Sequence, residues 1–80
     1  MLRRALTAAR SAWEGGEQSG NALRNAMLAE LAGEPLAQVE YVSVADATTL
    51  AELATVDGPA LASLAVRFGT TRLIDNEPLG

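Results

Sequence analysis

The hydrophobic positions at the start of the chain recur with the period of an α-helix. One apolar stripe is formed by Leu2, Leu6, Ala9 and Trp13. The pair Gly15-Gly16 follows this stripe, and glycine is common just after a helix C-terminus. The pattern therefore predicts a first helix that ends before this glycine pair.

A second helix is predicted after a polar link. Its apolar positions lie four residues apart, at Leu23, Met27 and Leu31, with alanines beside them. Ser19 stands where an N-cap is needed, because its side chain can accept a hydrogen bond from a free backbone N–H group. The glycine and proline in residues 33–35 are expected to stop the helix.

A strand is predicted next, over Leu36 to Asp46, because this stretch is rich in valine and contains a tyrosine. Its apolar residues fall on both faces, so we expect a strand that is covered on both sides, at least in part. Thr49 and Glu52 have the spacing of a capping box, which predicts a short helix or helical turn from Leu50 to Ala54. Val56 to Pro59 has the composition of a loop.

The chain is organised around its last stretch, Pro59 to Asn76, in which two apolar runs are joined through Gly69. Two runs with a glycine-containing turn between them are typical of a β-hairpin. Turns of this kind commonly need a positive φ, which glycine adopts without a steric clash. Asp75-Asn76 is expected to close the second run.

The first of these runs, Pro59 to Phe68, is compatible with two structures. A strand would have one apolar face, formed by Ala62, Leu64, Val66 and Phe68. A helix would have an apolar stripe at positions 61, 64, 65 and 68, and the many alanines and leucines favour it. Periodicity does not decide between the two, but the short connection through Gly69 agrees with a strand.

The length and composition indicate one folded α+β domain over residues 1–80. We expect two N-terminal helices packed on a small three-stranded antiparallel sheet, with the short helix between the first two strands. Hydrophobic residues make up 49% of the chain and charged residues 20%, which is typical of a folded protein. There is no cysteine for disulfides or thiolate metal sites. No run is long enough to span a bilayer and no signal-peptide pattern is present, so we expect a cytoplasmic protein.

The charged residues limit the chemistry that is available to this chain. A net charge of −4 argues against nucleic-acid binding, and all six cations are arginines. Without histidine or lysine, the chain lacks the commonest general base and the lysine used in Schiff-base and phosphate chemistry. The glycines do not match a phosphate-binding loop, and the carboxylates have no spacing typical of a metal site. The sequence therefore predicts no catalytic residue and no metal site.

Three groups of residues allow a binding interpretation beside a structural one. Arg3 and Arg4 form either an anion-binding patch or a solvated helix face, and we prefer the solvated face. Because they put positive charge where the helix dipole disfavours it, we also expect this helix to be cut from a longer chain. Trp13 and Met27 are ligand contacts or core residues, and at this spacing the core is the commoner explanation. Asp75-Asn76 binds a ligand or ends a strand, and we prefer the strand end.

Two segments resemble the pantothenate synthetase family, whose members are also called pantoate–β-alanine ligases. The family's C-terminal signature is similar to Phe68-Gly69-Thr70-Thr71-Arg72-Leu73-Ile74-Asp75-Asn76. The family's first C-terminal strand and the turn after it are similar to Val39-Glu40-Tyr41-Val42-Ser43-Val44-Ala45-Asp46 followed by Thr49-Leu50. Together the segments cover roughly the second half of the chain, in the family's order and at about its spacing. The resemblance implies that Pro59 to Phe68 is a strand antiparallel to the next, and we predict it as one.

The resemblance also implies a function. Pantothenate synthetases condense pantoate with β-alanine through a pantoyl-adenylate intermediate, using ATP and magnesium. Their N-terminal nucleotide-binding domain carries a His-x-Gly-His motif, and a Ser-Ser-Arg-Asn segment near the domain boundary touches ATP. Neither motif occurs in this chain, so no catalytic residue is carried over. The C-terminal domain of the family resembles a hinged lid, made of helices packed on a small antiparallel sheet.

The expected function is therefore that of a C-terminal lid domain, not catalytic alone, whose partner is the nucleotide-binding domain that this chain lacks. The alternative is an independent small binding or dimerisation module of the same fold. An autonomous enzyme is disfavoured, because histidine and lysine are missing. Arg72 is the candidate nucleotide-binding residue, since it precedes the Leu-Ile-Asp-Asn run and could face the cleft. The pairing of Arg72 with a nearby carboxylate stays open as the second interpretation.

Overall fold

Two helices precede three antiparallel strands in the structure, which is a computed structural model and describes residues 2–80. The elements are, in chain order, α1 (Leu2–Glu14), α2 (Gly20–Leu31), β1 (Gln38–Asp46), β2 (Ala60–Phe68) and β3 (Thr71–Leu79). The strands form one sheet in the order β1-β2-β3, with both pairs antiparallel. The predicted α+β architecture is confirmed. Within the described residues, no helix is long and apolar enough to cross a membrane.

The central strand β2 supplies the sheet's part of the hydrophobic core. Its residues alternate as predicted, and the face toward the helices is formed by Ala60, Ala62, Leu64 and Val66, all of them buried. Buried side chains from both helices complete the core, the largest being Leu6, Leu23, Met27 and Leu31. Full burial of one such leucine or methionine stabilises the fold by roughly 1.5–3 kcal/mol. Both helices therefore pack on the same face of the sheet.

The second helix follows its predicted pattern. The Ser19 side chain accepts a hydrogen bond from the Ala22 backbone N–H at 3.3 Å, which confirms Ser19 as the N-cap. Met27 is completely buried on the apolar stripe of α2. Trp13 is half-buried and packs against the same core. The interpretation of Met27 and Trp13 as packing residues is thus confirmed.

The hairpin between β2 and β3 has the short connection that was predicted through Gly69, and it consists of two residues. Phe68 lies opposite Thr71, and Gly69 between them has a φ of 59°. A positive φ at the first of two loop residues, with a glycine there, is the pattern of a type II′ turn. The strand prediction for residues 59–68 is confirmed, because β2 pairs with a strand on each side.

The last strand does not end at Asp75-Asn76, so that prediction is wrong. Both residues lie inside β3, opposite the middle of β2, and the strand continues to Leu79. The polar side chains need no turn here, because the Asp75 carboxylate accepts a hydrogen bond from Arg3 of α1. Pro78 is compatible with a strand at this position because β3 is an edge strand.

No helix forms between β1 and β2, and the predicted helix from Leu50 to Ala54 is wrong. Leu50 has a φ of 62°, which is outside the helical region. The backbone N–H of Leu53 donates to the carbonyl of Val44 at 2.9 Å. The Glu52 carboxylate accepts from the Val44 N–H at 3.3 Å. Long-range pairing with the edge of β1 thus replaces the local cap that the spacing suggested.

Only the second half of β1 is covered as predicted. Val44 and Ala45 are buried on opposite faces of the sheet, whereas the strand is exposed from Gln38 to Tyr41. The strand also begins two residues later than the predicted Leu36. The uncovered half follows from element lengths, because nine strand residues span about 30 Å and twelve helical residues about 18 Å.

The loop before β2 is held against the N-terminus of α2. The Gly20 N–H donates to the Ala54 carbonyl at 2.9 Å, and the Val56 N–H donates to the Gln18 carbonyl at 2.7 Å. The predicted loop over Val56 to Pro59 is confirmed, and its first side chain is buried. This close approach of two backbones leaves no room for a side chain at the first residue of α2.

We expect Gly20→Ala to destabilise the domain. An added Cβ would lie 2.0 Å from the Leu53 carbonyl oxygen, so the helix or the loop would have to move. The loss in free energy of unfolding should be about 2 kcal/mol or more, although alanine has the better helix propensity by about 1 kcal/mol. Urea unfolding measures this loss.

Gly58→Ala is the matched control. An added Cβ at Gly58 meets nothing within 4 Å and φ is not positive there. We expect its stability to stay within about 0.5 kcal/mol of the unchanged chain, or to rise slightly. Equal losses for the two variants would contradict the close packing at Gly20.

Candidate functional site

Most of the arginines are held in ion pairs with carboxylates. Within residues 2–80, five of the six arginines form such pairs. The pairs fall into four places: within α1, between α1 and β3, between α2 and the loop before β2, and on the sheet near the β2–β3 turn. The first three involve a helix, whereas the fourth lies on the strands alone and brings two arginines to one carboxylate, so we consider it as a binding site.

Arg3 is not simply solvated, contrary to our preferred interpretation, whereas Arg4 is exposed and forms no ion pair among the described residues. Arg3 pairs with Asp75 at 3.2 Å and also with Glu77, and Arg10 pairs with Glu77 at 3.0 Å. The hydrogen bonds that Arg3 donates to Glu77 and then to Asp75 raise its pKa. The anions at this face are therefore the chain's own carboxylates on β3, and the pairs fasten α1 to the edge of the sheet.

Arg72 pairs with a carboxylate, which is the second of the two interpretations given for this residue above. Its guanidinium donates to Oε1 of Glu40. Oε2 of the same carboxylate accepts from Nε and Nη2 of Arg67, at 3.2 and 3.0 Å. We call these three side chains, Arg67, Glu40 and Arg72, the arginine clamp. Two guanidinium groups and one carboxylate leave one unmatched positive charge in a chain whose net charge is −4.

The hydrogen bonds of the clamp shift the pKa values of Glu40 and Arg72. The bond donated by Arg72, followed by the one donated by Arg67, lowers the pKa of Glu40 despite partial desolvation. The bond between Arg72 and Glu40 in turn raises the pKa of Arg72. Glu40 and Arg72 are thus both charged near neutral pH.

The clamp sits at the turn end of the sheet, which we call the hairpin end: residues 38–41 of β1, 65–68 of β2 and 71–74 of β3. Arg67 and Arg72 are direct partners across the β2–β3 pair. A register shift in β1 between Val39 and Tyr41 marks a β-bulge at Glu40. Bulges redirect a side chain, and this one lets a single carboxylate reach both guanidinium groups.

The face of the sheet opposite the helices, the open face, is uncovered at the hairpin end. The register places Tyr41, Ala65 and Ile74 in one row across this face. Ala65 is completely buried, whereas Tyr41 is 40% and Ile74 55% exposed. An apolar row therefore lies next to the clamp. The two features share one surface.

Exposed hydrophobic residues gather at this end of the molecule. The chain has seven large ones among its described residues, and five of them lie at or just before the hairpin end: Leu36, Val39, Tyr41, Leu73 and Ile74. Scattered exposed leucines need no explanation, but a cluster rimmed by charges is typical of an interaction site. The candidate functional site is therefore the hairpin end with its arginine clamp.

An open cavity of about 410 Å³ lies at the opposite end of the sheet, between Trp13, Pro59 and Gly80. Its only ionisable lining residue is Asp57. A cavity with a carboxylate and no cation does not suit a phosphate or a carboxylate ligand. We therefore do not place the functional site there.

Metal-ligand clusters and unsatisfied buried polar groups are two common marks of an active site. No group of three or more potential metal ligands comes together within residues 2–80, and the whole chain lacks histidine and lysine. In the same range, no buried side-chain polar atom is left without a hydrogen-bond partner. The hairpin end can bind anions and apolar surfaces.

Sequence analysis identified Arg72 but missed Glu40 and Arg67. The missing signal was the hairpin register: a two-residue loop at Gly69-Thr70 places residues 67 and 72 opposite each other. The register would thus have predicted the arginine pair. No local signal predicted the bulge that brings in Glu40.

These features define a two-layer α+β domain with helices on one face of its sheet and a charged, partly apolar hairpin end. The chain belongs to the pantoate-beta-alanine ligase family, whose model matches residues 1–78. The resemblance found in the two sequence segments is therefore confirmed over nearly the whole chain, including the helical first half.

Similar proteins agree with this assignment. The chain is 59% identical over 76 residues to the pantothenate synthetase of Roseiflexus sp. (strain RS-1), covering 95% of this chain and 27% of that protein. It is 46% identical over 79 residues to the bifunctional pantoate ligase/cytidylate kinase of Gloeobacter violaceus, covering 99% and 15%. The crystal structure of pantothenate synthetase from Thermus thermophilus matches with a TM-score of 0.87 at 30% identity, covering 95% and 27%. The chain thus spans about a quarter of the length of the pantothenate synthetases it matches.

We expect the pKa of Glu40 to respond more to Arg72 than to Arg67. Arg72→Gln should raise the pKa of Glu40 toward its ordinary value, and Arg67→Gln should raise it less, because the Arg72 bond is the larger cause. NMR titration of the Glu40 carboxyl carbon measures both shifts. A larger response to Arg67→Gln would contradict the clamp geometry.

The same pKa sets a pH dependence. Because the folded-state pKa of Glu40 lies below the unfolded one, its contribution to stability is present above about pH 4.3. That contribution is lost as the pH falls through the lowered pKa. Glu40→Gln should remove this part of the acid sensitivity, as measured by urea unfolding across that pH range.

Proposed function

We propose that this chain is the C-terminal lid domain of an ATP-dependent pantoate–β-alanine ligase, an enzyme of pantothenate and coenzyme A biosynthesis. The lid closes over the active site of a nucleotide-binding domain, which holds the substrates pantoate, β-alanine and ATP together with magnesium. The parent ligase forms pantothenate, AMP and diphosphate. This domain contributes closure and no catalytic group.

The observation that carries the proposal is the asymmetry of the match. The Roseiflexus pantothenate synthetase aligns with 95% of this chain, but the chain covers 27% of that protein. The remaining length of the relative is outside the match, and this chain contains no histidine and no lysine. The match therefore supports an enzyme made of two parts, in which the unmatched part carries the catalytic groups and this domain covers the site.

The chemistry of the proposed reaction explains why a lid is needed. Adenylation joins the pantoate carboxylate to the α-phosphate of ATP and releases diphosphate. The amine of β-alanine then attacks the acyl carbon and displaces AMP. Water can attack the same carbon, so the mixed anhydride must be shielded until the amine reacts. A folded domain without its own reactive groups is suited to this role.

An independent small binding or dimerisation module is the alternative. It is favoured by one observation: the chain encloses a hydrophobic core of its own, with side chains from both helices and all three strands. A domain with a complete core can fold without a partner. This alternative predicts binding by the isolated chain, and the lid predicts function only beside a catalytic domain.

We expect the isolated chain to form no pantothenate and to bind ATP weakly or not at all. A chimera tests whether this chain supports activity beside a catalytic domain. In it, this chain replaces the matching 76 residues of the Roseiflexus protein. Pantothenate formation from pantoate, β-alanine and ATP is the measurement. The chimera should be active, and the Roseiflexus protein without those residues should lose most of its activity.

Two results would contradict the proposal. One is a folded chimera that is no more active than the shortened Roseiflexus protein. The other is a saturable set of NMR shifts when magnesium and ATP are added to the isolated chain at micromolar concentration. The second result would instead favour an independent nucleotide-binding module.

A further inference from the structure

We propose that the hairpin end is the docking surface by which this domain packs on the nucleotide-binding part of the ligase. The occupant is thus the remaining part of the same enzyme, an identification that rests on the proposed function. The arginine clamp lies at the edge of this surface, toward the anionic contents of the site.

The distribution of exposed apolar side chains singles out this surface. The hairpin end has such side chains on both faces of the sheet: Val39 and Leu73 on the helix side, Tyr41 and Ile74 on the open face. No other part of the described chain exposes more than one large hydrophobic side chain. Of the other three, Leu36 lies just before the hairpin end, whereas Leu28 on α2 and Leu50 beyond β1 stand alone.

The lengths of the elements explain why this end is bare. The strands extend beyond the helices, and the contact from α1 to β3 nearest the hairpin end is the one between Arg3 and Asp75. The four strand residues before Asp75 are all exposed, although two of them are leucine and isoleucine. Apolar residues on two uncovered faces of a strand are typical of a surface that another part of a protein covers.

The relatives indicate what covers it. About three quarters of the Roseiflexus protein lies outside the match. A large part of the enzyme is thus available to pack on this domain. Covering the hairpin end would bury four large apolar side chains. No other described surface offers an apolar contact of that size.

Charge agrees with the same occupant. The chain is acidic overall, with a net charge of −4, yet the clamp carries one unmatched positive charge. The two β3 carboxylates, Asp75 and Glu77, lie on the helix side, where α1 arginines pair with them. The hairpin end is therefore the part of the sheet that best tolerates a bound nucleotide nearby, since opposite charges attract.

Thiol labelling in the chimera described above tests this surface. This chain has no cysteine, so one introduced cysteine reports on one position, and the chimera without it serves as the blank. Leu73→Cys and Leu28→Cys are a matched pair, because both leucines are 39% exposed in the isolated domain. Ile74→Cys provides a second position on the open face. Circular dichroism confirms that each variant is folded.

We expect maleimide to label Leu73→Cys and Ile74→Cys at least about tenfold more slowly in the chimera than in the isolated chain, because a covered thiol cannot react. Leu28→Cys should change by less than about twofold. Added magnesium and ATP should slow the first two further if closure presses the surfaces together. Slowing at Leu28→Cys without slowing at Leu73→Cys would overturn the proposal, and so would equal slowing at all three positions.

The activity of the chimera tests the proposed function, and the labelling rates test the docking surface. A chimera that forms no pantothenate but protects Leu73→Cys contradicts the proposed ligase role and keeps the docking surface. An active chimera in which both hairpin-end thiols react as fast as in the isolated chain overturns the docking surface and keeps the proposed function.

Discussion

The fold depends on the pairing of β2 with a strand on each side. β2 is the only one of the three strands without a free edge, and four of its alternating residues form the floor of the core. Because β1 and β3 satisfy its backbone, the apolar face can be presented to α1 and α2 without unpaired polar groups beneath it. The helices cover that face but are shorter than the strands. The same strand thus creates both the core and the uncovered hairpin end.

The sequence predicted most elements of this fold because their signals are local. Helix stripes, the Ser19 cap and the turn at Gly69 each depend on residues a few positions apart. Residues 60–68 show the limit of such signals, since helical and strand periods both fit them. Pairing with two neighbours decides the matter, and pairing is a property of the whole sheet.

The two wrong predictions have a common physical cause. Glu52 was assigned to a local cap, but its carboxylate accepts from the amide of Val44 and pairs with Arg24. Asp75 was assigned to a turn, but Arg3 reaches it from 72 residues earlier in the chain. In both cases a distant partner satisfies the carboxylate, so the local structure that the spacing suggested is not needed. The candidate site shows the same limit of local signals. The hairpin register could have predicted that the two arginines of the clamp lie opposite each other, but no local signal predicts the bulge that adds Glu40.

The ion pairs on the helix side and those at the hairpin end differ in how exposed they are, and this difference fits the proposed lid role. On the helix side, the Glu77 side chain is 19% exposed and pairs with two arginines of α1, which links α1 to β3. At the hairpin end, Glu40 holds its two arginines on an exposed surface, where water competes for every bond. An exposed pair is easily exchanged for another partner, whereas a partly buried pair is not. In the proposed lid role, this division would let the clamp rearrange against an incoming anion while the ion pairs between α1 and β3 are kept.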